Sequence, residues 1–387
     1  MPSAGRCTMR AQLLRDFDRF GREWPADWAA HVRSAYAIDL SAEYLGEPIP
    51  HPIGKASGQL SLNADQLEAD AEAGLAFTVL KTAIGEDGSG SRSMGAWATA
   101  ETRMRVEPRR APDGREGWTV TWKGRGWGGT LEEYLSLVRA GRDLTRAGRL
   151  LAVPSLKLNL PRLGEPFREG EYRHTLSVLR TAWGAEPLLV EKDFSPTLAG
   201  DALADERARV LRWLREVPGE MRRASPGPMR LALKLMNARF DDAFQLEMLA
   251  AAQGADAVTV FNRLWDAEAQ VAYGGWELSD RNLRVLAAAP RGRPRSGTGN
   301  VCSGRMVAEY ARRGCSSVQV HTFFQLPRTE YPAAGGSRTA TALHALVFDP
   351  GDGLLAALLE LEVSGVLARE RGELRFMDLV RGGTVAA

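Results

Sequence analysis

The sequence predicts an α/β protein built on a (β/α)8, or TIM, barrel, and three observations carry that expectation. From residue 45 onward, short apolar runs alternate with longer amphipathic segments. Eight such runs occur, and most are continuously apolar, the pattern of parallel strands buried on both faces. The eight units occupy roughly 330 residues, which suits one barrel with extensions. A doubly wound open sheet is the alternative.

The elements follow in order. Residues 8–36 hold two helical patterns, LLRDFDRF and WAAHVRSAY, separated by Pro25. The strand runs are 52–57, 76–82, 150–160, 187–195, 231–236 and 257–262, then a weak one at 294–301 and a last at 316–324. Helical periodicity marks 64–74, 131–144, 171–183, 204–217, 242–254, 281–289 and 304–314. Gly74, Gly254 and Gly314 each follow a helix and are expected to cap it. The segment 83–130 is too long for a plain loop, and its alternating WTVTWKG predicts a β-hairpin inserted after the second strand. Residues 1–45 then form an N-terminal helical extension and 46–387 the barrel, with 325–387 as its C-terminal helical closure.

Composition narrows the function. Of 387 residues, 44% are hydrophobic and 25% charged, so a folded core is expected rather than disorder. A formal net charge of +2 gives no nucleic-acid signal. Cys7, Cys302 and Cys315 lack the spacing of a metal or iron–sulfur site, so no metal is expected. No apolar stretch is long enough to span a bilayer, and no secretory leader is evident. The expectation is a cytoplasmic protein. Residues 8–36 are amphipathic enough to lie on a membrane, but contain acidic residues and are expected to cover the barrel or a second subunit, as in a homodimer.

Lysine usage is the most informative count. Only six of the 50 basic residues are lysine: Lys55, Lys81, Lys123, Lys157, Lys192 and Lys234. Arginine serves elsewhere, and lysine persists mainly inside apolar, strand-like runs. Burying a lysine is costly unless it is paired or used. Compositional drift with random survivors is the bland alternative.

In a barrel the site lies at the carboxyl ends of the strands. Those ends read Lys55-Ala56-Ser57-Gly58, Lys81-Thr82, Lys157 with Asn159, Asp193 with Ser195, Lys234, Asn262, Ser296 to Asn300, and His321-Thr322. Polar groups converging at one end of an apolar barrel suit a cofactor site, although strand ends are often polar simply because they meet solvent. The Ser-Gly-Thr-Gly-Asn stretch at the seventh strand suits a phosphate, because glycines let backbone N–H groups approach closely.

Several stretches match a known family in order and approximate spacing over residues 38–324. They are IDLSAEYLGEPIPHPIGKASG, GLAFTVLKT, TWKGRGWGG, EKDFSPT, LALKL, ADAVTVFNR, YGGWELSD and SGTGNVCSGRMVAEYARRGCSSVQVHTFF. The chain resembles the dihydroorotate dehydrogenase family, including the related domain of dihydropyrimidine dehydrogenase. The resemblance implies FMN at the carboxyl mouth of the barrel. Ala56, Ser57 and Gly58 match the segment passing the flavin ring, and Lys81 and Thr82 the pair near flavin and substrate. Lys234 matches the lysine at the flavin's N1 and O2 edge, where a cation stabilises the reduced, anionic ring. Asn159 is placed to face the ring. Gly274, Gly275, Gly297, Gly299, Asn300, His321 and Thr322 fall where the family binds the ribityl phosphate, with His321 and Asn300 standing at family glycines.

The catalytic segment departs from the family. The usual Asn-x-Ser-Cys-Pro-Asn or Asn-x-Ser-Ser-Pro-Asn is here Asp193-Phe194-Ser195-Pro196-Thr197, one residue shorter. Anchored on the proline, Ser195 is the base. Anchored on the strand, Asp193 is the asparagine counterpart and the base position falls on proline. Serine needs a proton relay, and Asp193, two residues back, can share its side of the strand. The substrate shell keeps Asn262 but has Thr121, Trp122, Lys123, Arg125 and Trp127 in the hairpin, Thr197 after the base and Arg263 after Asn262. Losing hydrogen-bonding partners from a site built for a polar ring costs affinity. The expectation is an FMN-dependent oxidoreductase acting on a C–C bond beside a carbonyl or amide of a small molecule other than orotate, in a specialised pathway. Trp122 and Trp127 then wall the pocket or pack the hairpin, and Arg125 or Arg263 holds a carboxylate. A true dihydroorotate dehydrogenase and a non-catalytic flavin-binding barrel are the alternatives.

Overall fold

The computed structural model describes residues 3–95, 105–110, 114, 116–121, 126–194, 207–238, 240–266, 271–333 and 335–382. It is a mixed α/β fold around a ten-stranded, wholly parallel sheet, compatible with a TIM-like arrangement. The strands are β1 Ile53–Lys55, β2 Phe77–Val79, β3 Ala83–Ile84, β4 Leu151–Val153, β5 Ser155–Lys157, β6 Leu188–Asp193, β7 Met229–Met236, β8 Ala257–Asn262, β9 Arg295–Gly297 and β10 Ser317–Val320. Their order is β3-β5-β6-β7-β8-β9-β10-β1-β2-β4. Pro154 interrupts the third run, dividing β4 from β5, because proline has no N–H to donate to a ladder. Its carbonyl still accepts from Glu191 N at 2.9 Å.

The helices are α1 Ser3–Phe20, α2 Trp28–Tyr36, α3 Ala64–Glu72, α4 Leu131–Arg146, α5 Glu169–Trp183, α6 Arg207–Ala224, α7 Asp242–Ala251, α8 Trp276–Ala288, α9 Gly304–Arg312, α10 Thr322–Gln325, α11 Arg338–Phe348, α12 Leu354–Val363 and α13 Phe376–Arg381. α4 shows the local logic. Thr130 and Glu133 form a capping box, and Leu131, Tyr134, Leu135, Val138, Gly141 and Leu144 line the buried face at helical spacing.

Three expectations need correction. Gly254 does not cap in the left-handed region as Gly74 (φ +69) and Gly314 (φ +84) do. It ends a 3-10 turn, Ala252–Gly254, because α7 tightens rather than reversing. The last strand stops at Val320, and His321 caps the short helix α10. The seventh strand covers only Arg295–Gly297 of the run 294–301. The inserted hairpin is present: Arg105–Arg110 pairs antiparallel with Glu116–Thr121, which lies against α10 and the strand Val271–Tyr273.

All five described lysines are buried in or between strands, at 0–3% exposure. Lys55 faces the helices rather than the sheet's interior. Its ammonium pairs with Asp70 of α3 and donates to Thr339 Oγ1 of α11 at 3.1 Å, and Thr339 and Thr78 complete the carboxylate's bonds. One charge pair thus pins two helices onto β1.

The N-terminal helices cover α11. Phe17 stacks on His344 at 4.6 Å, and Phe20 meets Phe348 edge-on at 5.0 Å. Trp28 is buried against His51 at 4.4 Å. The apolar face of residues 8–36 is therefore spent on the chain's own helices, and among the described residues no helix is long and apolar enough to cross a membrane. The strand Ile38–Asp39 pairs with Leu374–Arg375. Between them, the hairpin of Ala42–Tyr44 and Glu47–Ile49 sends Tyr44 into the sheet's interior, stacked on Phe77 at 4.1 Å.

His51 joins α2, β1 and the α3 turn through bonds from Ile53 N at 3.3 Å and to Gly74 O at 2.8 Å. Burial pulls it down to about 4 from its ordinary 6.5, while the Gly74 bond opposes the shift. The folded form thus resists protonation. The unfolded chain takes up the proton first, so stability falls as pH drops from about 6.5 toward about 4. Urea unfolding at pH 7 and pH 4.5 is expected to show this loss, on the order of 2 kcal/mol from His51, absent in a His51→Gln variant.

Candidate functional site

At the carboxyl ends of the strands lies a cleft of about 520 Å³, counting the solvent in its mouth. β1 supplies Ala56 and Ser57, and β7 supplies Lys234. β8 supplies Asn262 and Arg263, with Gly274 from the turn ahead of α8. The loop after β9 supplies Thr298, Gly299, Asn300 and Val301, and the end of β10 supplies Gln319, His321 and Thr322. Most of the residues expected at the cofactor therefore meet in one place.

Each is positioned by a local device. Thr82 N and Oγ1 both bond to Ser57 Oγ, at 2.9 and 2.8 Å, tying β1 to the end of β2, and Thr82 Oγ1 also bonds to Ser155 Oγ at 3.0 Å. Gly274 leaves room for the Arg263 stem, which a Cβ would meet at 3.0 Å. The loop after β9 is held from behind. Asn282 donates to Phe261 O and Thr298 O, and Ser279 donates to Gly299 O. Its glycines have packing reasons in addition to any ligand: a Cβ on Gly297 would lie 2.4 Å from Tyr310, and one on Gly299 2.5 Å from Asn282. Gly299 (φ +95) and Asn300 (φ +53) are both left-handed, which turns the loop toward the cleft.

His321 sits over Gly58, where a Cβ would fall 1.8 Å from the imidazole. Gln325 bonds to its Nε2 at 2.5 Å. Burial pushes its proton affinity well below the ordinary value, and Arg263, Lys81, Lys234 and Lys55 push the same way. The imidazole is thus neutral among four cations. Burial also lowers Arg263, to about 10, against the pull of Asp193, so it stays charged at neutral pH.

The floor of the cleft is a buried polar network. Lys234 Nζ donates to Gln319 Oε1 at 2.9 Å and stands 3.7 Å from Glu191. Glu191 Oε2 accepts from Tyr44 OH, Thr259 Oγ1 and Gln319 Nε2 at 3.1, 3.0 and 2.5 Å. Beside it, Asp193 at the end of β6 lies 3.8 Å from Lys157 Nζ, and its buried Oδ1 has no hydrogen-bond partner among the described residues. Lys192 lies over the Phe194 ring at 4.6 Å. Burial draws it down to about 7, with Asp193 opposing and Lys157 adding to the shift.

Other expected residues lie elsewhere. Asn159 braces its own loop: its Oδ1 accepts from Arg168 N and its N–H bonds to Glu171. Gly275 is the N-cap of α8. Trp127 packs on Tyr134 of α4, donates to Thr130 O and bonds through its N–H to Thr82 O, so it anchors the hairpin. Thr121 ends the hairpin strand. Trp122, Arg125, Ser195 and Thr197 lie outside the described residues. Sequence reasoning missed Glu191 and Gln319 as site residues. The signal was a charged or amide residue inside an otherwise apolar strand.

The donor set fits an anionic, hydrogen-bonding ligand such as FMN. Lys234 and Arg263 line the cleft, and Asn300 Nδ2 is a buried donor with no hydrogen-bond partner among the described residues. The chain matches no protein-family model, and no curated protein is significantly similar to it.

Because His321 fills the space a side chain at position 58 would need, Gly58→Ala is expected to lower stability by about 1–3 kcal/mol through overpacking. Adding His321→Gly should recover much of that loss in thermal unfolding, whereas a double variant no better than Gly58→Ala would refute the contact.

Proposed function

We propose that the ten strands are eight, two of them broken, closing a (β/α)8 barrel, and that the chain is an FMN-dependent oxidoreductase acting on a C–C bond beside a carbonyl or amide. Closure is supported by the pairing pattern. β2 pairs with β4 and β3 with β5, so the two runs that end the sheet are neighbours, and each of the eight runs has two partners. The activity rests on one observation above the rest: most of the residues that a family resemblance assigns to the flavin meet in a single cleft with two cationic side chains at the strands' carboxyl ends.

When bound, FMN supplies a two-electron hydride acceptor or donor. Lys234 would hold a positive charge at the cleft floor, against the ring edge that becomes negative on reduction. Asn262 and Arg263 would orient the substrate, with Arg263 placed for a carboxylate or an enolate-like oxygen. A proton leaves the carbon beside the carbonyl for Ser195, with Asp193 holding it in relay, and in the reductive direction the same groups return it. The altered polar shell favours a substrate other than dihydroorotate, as in a specialised biosynthetic reaction.

The test is the visible spectrum of the purified chain, with mass identification of any released chromophore. Bound or reconstituted FMN is expected, followed by bleaching on addition of a CH–CH donor, dihydroorotate being screened first. A chain that takes up no FMN in excess sinks the reading. In the loaded enzyme, Asp193→Asn is expected to lower kcat by about 10²–10⁴-fold with the bound-flavin spectrum unchanged.

A further inference from the structure

We infer that Glu191 is a positioning residue that sets, through Lys234, how much positive charge the cleft floor presents to its ligand. The inference rests on the flavin reading above. Glu191 is fully buried in β6, beneath the cleft and not among the residues lining it. Three donors, from Tyr44, Thr259 and Gln319, converge on its Oε2. Its Oε1 has no hydrogen-bond partner among the described residues and faces Lys234 Nζ at 3.7 Å. Gln319 bridges the two charges, accepting from Lys234 and donating to Glu191, so its amide has one orientation. Lys234 and Gln319 are the members of this network that reach the cleft.

The electrostatics follow from this order. An anion close behind a cation cancels part of the field the cation projects forward. The three donors on Oε2 draw the carboxylate's charge backward, toward the hairpin that carries Tyr44. The residual field at the cleft is the balance of these pulls. A reduced flavin carries negative charge that the oxidised one lacks, so the balance enters its reduction potential directly. If Glu191 only held the sheet together, its loss would change stability and leave the potential alone.

The experiment is a dye-equilibrated reductive titration of the full chain loaded with FMN, with FMN dissociation followed by fluorescence. Glu191→Gln keeps the shape and an acceptor for the three donors while removing the charge. Its potential is expected to move to more positive values, with several-fold tighter FMN. Tyr44→Phe lies outside the cleft lining; it removes one donor to the carboxylate and one acceptor for Gln319 Nε2, and with the donor gone more of the carboxylate's field falls on Lys234. Its potential is expected to move the other way. Wild-type potentials in both variants, or shifts of one sign, overturn the inference. If Glu191→Gln does not fold, an unshifted potential in Tyr44→Phe alone overturns it. A wild-type chain that takes up no FMN overturns the flavin reading and this inference together.

Discussion

One carboxylate organises the interior of this fold. Glu191 sits on the fourth strand run and is bonded, through side chains alone, to the hairpin below it and to two further strands, with an ammonium on a third beside it. A buried ion needs protein partners in place of water, so the groups around it are constrained in identity and place. Tyr44 closes the lower end of the sheet because it has a hydroxyl to offer. Gln319 stands in an apolar strand because a residue that both donates and accepts is required. Lys234 can be held buried at the cleft because a counter-charge lies behind it.

The same rule accounts for the protein's use of lysine. Where a charge faces water, arginine serves, as in the bidentate pairs of Arg146 with Glu186 and Arg305 with Glu360. Within the sheet lysine is the usual cation, and Lys55 and Lys234 find their partners on other elements, Asp70 and Glu191. A compact ammonium on a flexible stem reaches a partner across a narrow interior, whereas a planar guanidinium would need several acceptors at once. Arg295 illustrates the difficulty: Nε and Nη1 of its buried guanidinium have no hydrogen-bond partner among the described residues.

Much of this was legible in the sequence. Alternating apolar and amphipathic segments place the strands and helices within a few residues, because burial on both faces leaves little freedom in composition. The lysines disclosed the interior, since their scarcity elsewhere made each survivor informative. Asn159 was less legible: a polar residue just beyond a strand can turn inward to a ligand or back to its own loop, and only the loop's path decides. The glycines of the β9 loop carried a similar ambiguity. Gly297 and Gly299 suggest a phosphate cradle, yet Tyr310 and Asn282, more than ten residues away in sequence, already demand them. The division at Pro154 was not read from the sequence: residues 150–160 form one run there, and whether a proline ends a sheet or only divides a strand depends on pairing with neighbours that sequence alone does not reveal.

The pairing of Ile38–Asp39 with Leu374–Arg375 bears on how the molecule is made. Arg33 reaches Glu373, and Arg369 caps the carbonyls of Tyr36 and Ala37, so the joint is reinforced on both sides. A contact between segments so far apart forms late, because the loop between them must first be ordered. During synthesis the strand Ile38–Asp39 waits until residue 375 has emerged, and until then it presents an open hydrogen-bonding edge. Such edges invite pairing with other chains. The joint is therefore a late seal, and its timing governs how long the edge of Ile38–Asp39 stays exposed to neighbouring chains.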